Sequence, residues 1–305
     1  MISAHEVITP LRTRFAPSPT GLLHVGNGYS ALLCQQWADQ HGAELLLRIE
    51  DIDQIRCRSH FTAAIKRDLQ WLGVQWQPEV MVQSRRTASY QKALATLQQQ
   101  RLLYPCFCSR ADIRAQLATS APHHTAPSHY PGRCRALDPD SVAERMRTEP
   151  YSWRINVEAA AEVVGEELEW VDSYGISHTF NTHAVDDAIL ARRDIGISYH
   201  LAVVVDDAAQ NISMVIRGED LLDSTDIQRL LQQLLKLPAP RYLHHKLIID
   251  SSGKRLAKRN HSTTLHSLAQ AGVSPTELRE LLWQLVADSH PWEQSSAQLL
   301  LHGSE

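Results

Sequence analysis

The chain has 305 residues, 43% hydrophobic and 21% charged, with a formal net charge of −4. Such a composition supports a large buried core and excludes a disordered chain, while the mild acidity excludes a general polyanion binder, so an RNA partner would need a local basic patch. No apolar run approaches the roughly 20 residues of a membrane span, and Met1 to Pro10 lacks the basic-then-apolar order of a signal peptide; a cytoplasmic protein is expected.

Thr13 to Ala16 reads as a short strand running into a Pro/Gly loop. A helix follows, with Tyr29, Leu32, Leu33 and Trp37 on one face. Ala43 to Ile49 is the next strand, ending in the acidic cluster Glu50-Asp51-Ile52-Asp53; Phe61, Ile65, Leu69 and Leu72 then mark a second helical face. This β-loop-α-β-α order predicts a parallel sheet with ligands at the carboxyl ends of its strands. From about Leu103 the character changes. Cysteine, histidine and proline cluster between Tyr104 and Cys134, and Ser152–Val157 and Glu167–Val171 read as short strands of an insertion. His200–Asp206 and Ser213–Arg217 read as returning strands, Asp223–Leu235 as a helix, Leu247–Asp250 as a strand, and Pro275–Val286 as a last helix packing Leu278, Leu282 and Leu285. The fold class expected is α/β: a Rossmann-like doubly wound parallel sheet over 1–102 and 172–260, an insertion at 103–171, and a short helical extension at 261–305.

Two segments carry chemistry. The first runs Arg14-Phe15-Ala16-Pro17-Ser18-Pro19-Thr20-Gly21-Leu22-Leu23-His24-Val25-Gly26-Asn27; the second is Gly253-Lys254-Arg255-Leu256-Ala257-Lys258-Arg259-Asn260. A nucleotide needs oriented donors for its charge, and a helix N-terminus supplies them. Gly21 and Gly26 permit close backbone approach, His24 adds a side-chain donor, and Lys258 is a point charge suited to phosphates. Taken singly, one histidine and one lysine in loops are ordinary surface, and Arg85-Arg86 and Lys254 to Arg259 are ordinary solvated loops. The full string moves the balance to ATP.

A separate cluster suggests metal. Cys106, Cys108 and Cys134 supply three zinc ligands of the usual four, and His123, His124, His129 and Tyr130 lie between them; chemistry alone favours a histidine as the fourth. Five cysteines in total argue against a complete disulfide framework. Cys34, in an apolar helix, reads as core.

The chain resembles class I aminoacyl-tRNA synthetases of the glutamyl type. Pro17 to Asn27 looks like the family's HIGH segment and Arg255 to Arg259 like its KMSKS segment, with Tyr199-His200-Leu201-Ala202-Val203-Val204-Val205-Asp206-Asp207 and Val215-Ile216-Arg217-Gly218-Glu219-Asp220 in family order between them. The second segment departs from the pattern at Arg255, Ala257 and Arg259 but keeps Lys258, which bears on the speed of pyrophosphate release more than on the reaction. The resemblance implies an ATP site of His24, Gly26, Asn27 and Lys258, with His24 and Lys258 catalytic and Mg²⁺ accompanying ATP. It implies a glutamate site of Arg14, Ala16, Ser18, Glu50, Tyr199 and Arg217, in which Arg14 and Arg217 read the carboxylates and Glu50 holds the ammonium group. A glutamine reader should avoid a buried cation facing a neutral amide, an error costing several kcal/mol, roughly, by the rule for unpaired buried charge. Glutamate is therefore favoured.

Only about 45 residues follow Arg259, too few for the helical anticodon-reading domain of a discriminating glutamyl-tRNA synthetase. The truncated subgroup that the chain resembles is the glutamyl-queuosine tRNA(Asp) synthetases. They place a tyrosine fourth at a structural zinc, which matches Tyr130, with His129 as the alternative. They activate L-glutamate without tRNA and transfer it to queuosine at the wobble position of tRNA(Asp), so the implied partner is an anticodon stem-loop carrying that base. A monomer is expected. The competing readings are a truncated enzyme charging a tRNA 3′ end and a non-catalytic glutamate- or nucleotide-binding paralogue.

Overall fold

The computed structural model describes residues 10–109, 111–113, 130, 132–165, 168–180, 185–192, 196–248 and 263–287. The chain divides into two compact units: Met1–Gln83 with Gln210–Leu221 and Pro240–Glu305, and Ser84–Ala209 with Leu222–Ala239.

The first unit is built on a five-stranded sheet, parallel throughout. Its strands are β1 (Arg12–Phe15), β2 (Glu44–Ile49), β3 (Met81–Val82), β10 (Met214–Gly218) and β11 (Arg241–His245), in the order β11-β10-β1-β2-β3. Winding runs outward from β1 in both directions, so the topological switch point lies between β1 and β10. Helix α1 (Val25–His41) follows β1 and α2 (Ser59–Trp71) follows β2. Side chains alternate across a strand. Phe15, Leu45, Leu47, Ile49, Met214 and Ile216 therefore share one face, and they join Tyr29 and Leu32 of α1 and Ile65 and Leu69 of α2 in the core. Helices α8 (Leu265–Gln270) and α9 (Pro275–Ala287) complete that core with Leu265, Leu268, Leu278 and Leu282, all essentially inaccessible.

The second unit carries an antiparallel sheet of β4 (Leu103–Cys106), β5 (Ser152–Ile155), β8 (Ile189–Arg192) and β9 (Gly196–Ile197), in that order, and the hairpin β6 (Glu169–Val171)–β7 (Ser177–Thr179). Its helices are α3 (Thr87–Gln99), α4 (Pro139–Thr148), α5 (Val157–Val164), α6 (Tyr199–Ala209) and α7 (Ser224–Leu234). Buried acids organise it. Asp206 of α6 accepts from Arg86 Nε at 2.6 Å and the Tyr90 hydroxyl at 2.8 Å. Asp187 accepts from the Tyr104 hydroxyl at 2.6 Å and caps the start of α5 through the Val157 N–H at 2.9 Å.

The α/β class with its parallel sheet is as expected, and three local readings are corrected. His200–Asp206 is part of helix α6, not a strand. Leu201, Ala202, Val203 and Val204 are all buried, so this helix has no polar stripe to betray its period, and a short apolar run reads equally as a buried strand. The strand expected at Ser152–Val157 stops at Ile155, because the Asn156 side chain accepts from the Ala159 N–H and caps α5. The strand expected at Leu247–Asp250 lies earlier, at Arg241–His245; Leu247 and Ile248 are irregular, and residues 249–250 lie outside the described residues.

Candidate active site

The face of the parallel sheet opposite the apolar core is charged. Register pairs Arg14 with Leu46, Val215 with Tyr242 and Arg217 with His244, and alternation adds Arg48 on β2. Arg14, Arg48, Glu50 and Arg217 are nonetheless buried, Arg48 completely. Burial of so much charge requires partners. Arg48 donates to one oxygen of Glu50 from Nε at 3.3 Å and from Nη2 at 3.2 Å, and from Nη1 to the Gln210 side-chain oxygen at 3.0 Å. Arg217 donates from Nε to His244 Nε2 at 3.1 Å, and its guanidinium lies 5.2 Å from the Tyr242 ring centre. A ring nitrogen that accepts is unprotonated, so this bond fixes the neutral His244 as its Nδ1–H tautomer. Arg14 and Arg217 thus sit on the two strands at the switch point, and Glu50 closes the carboxyl end of β2. The Glu50 N–H also donates to the Pro17 carbonyl at 3.1 Å, tying the loop after β1 to this edge.

The rest of the first signature forms that loop and the start of α1. His24 is the N-cap residue, in extended conformation, and its backbone N–H donates to the Asn27 side-chain oxygen at 3.3 Å. The imidazole lies over Gly26 so closely that a Cβ there would meet its Cε1 and Nδ1 at 3.1 Å. Ser30 joins the first turn of α1 to the end of β11: its hydroxyl lies 2.8 Å from His245 Nε2 and 3.1 Å from the Gly26 carbonyl. Burial lowers the His245 pKa, opposed by the Lys246 carbonyl and by Asp220 and Glu219. A second close approach occurs at Gly218, where a Cβ would meet the Asp220 carboxylate and Leu247 at 2.6 and 2.7 Å.

The chain that leaves the second signature reaches the first. Thr264 forms an antiparallel bridge with His24; the Val25 N–H donates to the Thr263 carbonyl at 3.2 Å and the Leu265 N–H to the Leu23 carbonyl at 2.9 Å. The second signature itself, Lys258 included, lies outside the described residues. What is described is its exit: three residues after Asn260 the chain docks beside His24.

In the second unit, the sulfurs of Cys106, Cys108 and Cys134 lie within 4.8 Å of one another. The Tyr130 hydroxyl is 3.3 Å from Cys106 Sγ and 3.7 Å from Cys108 Sγ, and Cys108 and Cys134 Sγ are 3.5 Å apart. A tetrahedron with zinc–sulfur and zinc–oxygen bonds of ordinary length has edges of about 3.5–3.8 Å. The donor set fits zinc. Backbone donors face it as well: the Cys134 N–H points to the Tyr130 oxygen at 3.1 Å and the Phe107 N–H to Cys134 Sγ at 3.4 Å. Burial pushes the Cys108 thiol up to about 11, whereas at Cys134 donors led by the Tyr130 hydroxyl and Phe107 N–H outweigh burial and hold the thiol below its ordinary value. Burial and the neighbouring sulfurs raise the Tyr130 phenol, so a cation is what would ionise it. His129, the alternative fourth ligand, lies outside the described residues, as do His123 and His124. Cys34 is fully buried, its thiol pushed up to about 12 by burial, as befits a core residue.

A profile of the tRNA synthetases class I (E and Q) catalytic domain matches residues 10–294. The chain belongs to that family. The glutamyl-Q tRNA(Asp) synthetase of Rhodobacter capsulatus is 44% identical over 278 residues, covering 88% of this chain and 99% of that protein. The namesake from Symbiobacterium thermophilum is 42% identical, covering 86% of this chain and 82% of its own. Among solved structures, a glutamate tRNA ligase from Elizabethkingia meningosepticum, in complex with its amino acid, superposes with a TM-score of 0.73 at 26% identity, covering 91% of this chain and 61% of that one. The chain thus spans nearly the whole of the first relative and about three-fifths of the ligase.

Of the residues read from sequence, Arg14, Glu50 and Arg217 share one sheet face, and half-buried Ala16 and exposed Ser18 occupy the loop that Glu50 holds. Gly26 and Asn27 are gathered at His24. Tyr199 opens α6 in the second unit. Sequence reading missed Arg48, Gln210, His244 and His245. Arg48 was detectable: it lies two residues before Glu50 on one strand and so points the same way.

Proposed function

We infer that this protein is a glutamyl-Q tRNA(Asp) synthetase. It activates L-glutamate with ATP and transfers the glutamyl group to the queuosine base of tRNA(Asp). The observation that carries this reading is the 44% identity to a protein of that name along 99% of its length. The first signature at His24 and the charged sheet face support it chemically.

In the first step a glutamate α-carboxylate oxygen attacks the α-phosphorus of ATP, and pyrophosphate leaves. In the second, an acceptor hydroxyl attacks the adenylate carbonyl carbon, loses its proton, and AMP leaves. Arg14 and Arg217 bind the substrate carboxylates and Glu50 its ammonium group; Ala16, Ser18 and Tyr199 are the further glutamate-binding residues of this reading. His24, Gly26 and Asn27 present donors at the positive end of α1, and Lys258 meets charge developing on the phosphates. Mg²⁺ bound with ATP would neutralise phosphate charge. Cys106, Cys108, Tyr130 and Cys134 would hold one structural zinc. Among the described residues no helix is long and apolar enough to cross a membrane. We read it as a cytoplasmic protein that acts as a monomer.

Glutamate-dependent ATP–pyrophosphate exchange with no tRNA present tests the first step. Robust exchange is expected. Exchange appearing only once tRNA is added would replace this reading with a truncated charging enzyme, and silence in both cases would leave a binding paralogue.

A further inference from the structure

Of the basic loops noted in the sequence, Lys254 to Arg259 lie outside the described residues. Arg86 is committed to buried Asp206 at 2.6 Å. A different basic site is present on the antiparallel sheet. A cavity of about 370 Å³ is lined by Met146, Arg147, Tyr151, Trp153, Ala191 and Arg192, all within the second unit. Its volume is of the order that holds one small ligand, roughly 300–1,000 Å³.

Four of its six lining side chains are aromatic or arginine, and none is acidic. Glu149, two residues from both Arg147 and Tyr151, is engaged by both Nε and Nη2 of Arg145 at 2.7 Å. Arg147 is exposed in the last turn of α4; Tyr151, Trp153 and Arg192 are half-buried. Tyr151 and Trp153 meet edge to face, centroids 5.5 Å apart at 87°, so their rings present perpendicular faces. Planar cations beside aromatic faces are the chemistry of unpaired nucleotides, which stack on the ring and give their phosphates to arginine.

The pocket is also braced. Phe107 lies 5.9 Å from Tyr151, and the Arg145 guanidinium lies 4.3 Å over the Phe107 ring. Phe107 sits between two of the clustered cysteines, and its N–H donates to Cys134 Sγ. The cysteine cluster therefore supports the pocket wall.

We propose that the Arg147–Tyr151–Trp153–Arg192 pocket binds one unpaired nucleotide of the RNA substrate and its flanking phosphates. The identity of the RNA rests on the function inferred above. The test measures binding of queuosine-containing tRNA(Asp), and of a plain RNA duplex as control, by the full-length protein across a salt series, alongside tRNA-free pyrophosphate exchange. None of the four residues belongs to the glutamate or ATP site. The Arg147→Glu, Arg192→Gln double variant should lose at least about tenfold in tRNA affinity and about 1.4 units of salt slope, the share of two single-strand phosphate contacts. Trp153→Ala should lose about tenfold, as for one base–aromatic stack. Duplex binding and exchange should stay as in the wild type. Unchanged tRNA affinity in the double variant overturns the proposal, as does an equal loss for duplex, which would mean undirected charge attraction. Should Trp153→Ala fold poorly, Arg147→Glu alone, altering an exposed side chain, decides. Absence of exchange in the wild-type protein would refute the glutamate reading, while the binding series would still judge the pocket.

Discussion

Arg217, the proposed reader of a substrate carboxylate, shows how a single side chain can be preset. Its guanidinium is bonded at Nε by His244 and flanked by Tyr242, so it is held before any substrate arrives. A fixed fork matches a carboxylate better than a flexible ammonium does. Replacement by alanine should lower glutamate-dependent exchange by roughly 100-fold or more, the scale of a lost buried charge partner. Exchange kinetics at varied glutamate measure this; an unchanged kcat/KM would refute the assignment. His245 offers a different readout. Its pKa is lowered in the fold by burial, below the ordinary 6.5. Below that value the unfolded chain takes up a proton that the native state refuses, so stability falls as pH drops through this window and is unaffected above it. Denaturant unfolding at about pH 7 and about pH 5.5 should show a smaller loss for His245→Gln than for the wild type. Equal losses would place the pH sensitivity elsewhere.

At the scale of elements, the start of α1 combines competing demands. Glycine disfavours helix by about 1 kcal/mol relative to alanine, yet Gly26 lies in the first turn. The space is taken by the His24 ring. Gly26→Ala should therefore keep or slightly raise the melting temperature while raising the KM for ATP several-fold; a change in neither would detach His24 from nucleotide binding. The elements differ in how plainly the sequence announces them. Helices α1 and α2 keep exposed positions opposite their buried ones, so the period of 3.6 survives in the residue pattern; β1 and β2, buried at all but their first residue, are short runs bounded by loop residues. Helix α6 is enclosed on most sides, down to Asp206 and Asp207, and its period is erased. The same contrast holds at the site. Arg14, Glu50 and Arg217 stood out as charges at strand ends. His244 did not, because its role depends on the register of β10 with β11, which no local pattern encodes.

Across the whole molecule, one cluster of cysteines and one sheet of arginines sit in separate units. Metal removal should therefore be selective. The purified protein should carry one zinc per chain, released by Cys134→Ser and measured with a chromogenic chelator. Tyr130 and Phe107 would lose their anchor, and the second unit should melt earlier. Tyr130→Phe should weaken retention without abolishing it; full retention in Cys134→Ser would exclude the cluster.

The bridge between His24 and Thr264 has a mechanical meaning as well. Residues 263–287 hold on by that bridge and by Leu265, Leu268, Val273, Leu278 and Leu282, all buried in the main core. Each such side chain is worth roughly 1.5–3 kcal/mol at most. A polypeptide severed between 249 and 262 should therefore survive as a noncovalent two-piece protein. A protease site inserted there should give fragments that co-elute on gel filtration and part only in denaturant. The nicked protein should bind glutamate normally while its ATP chemistry slows, because the break falls in the segment that carries Lys258, the proposed phosphate-binding cation.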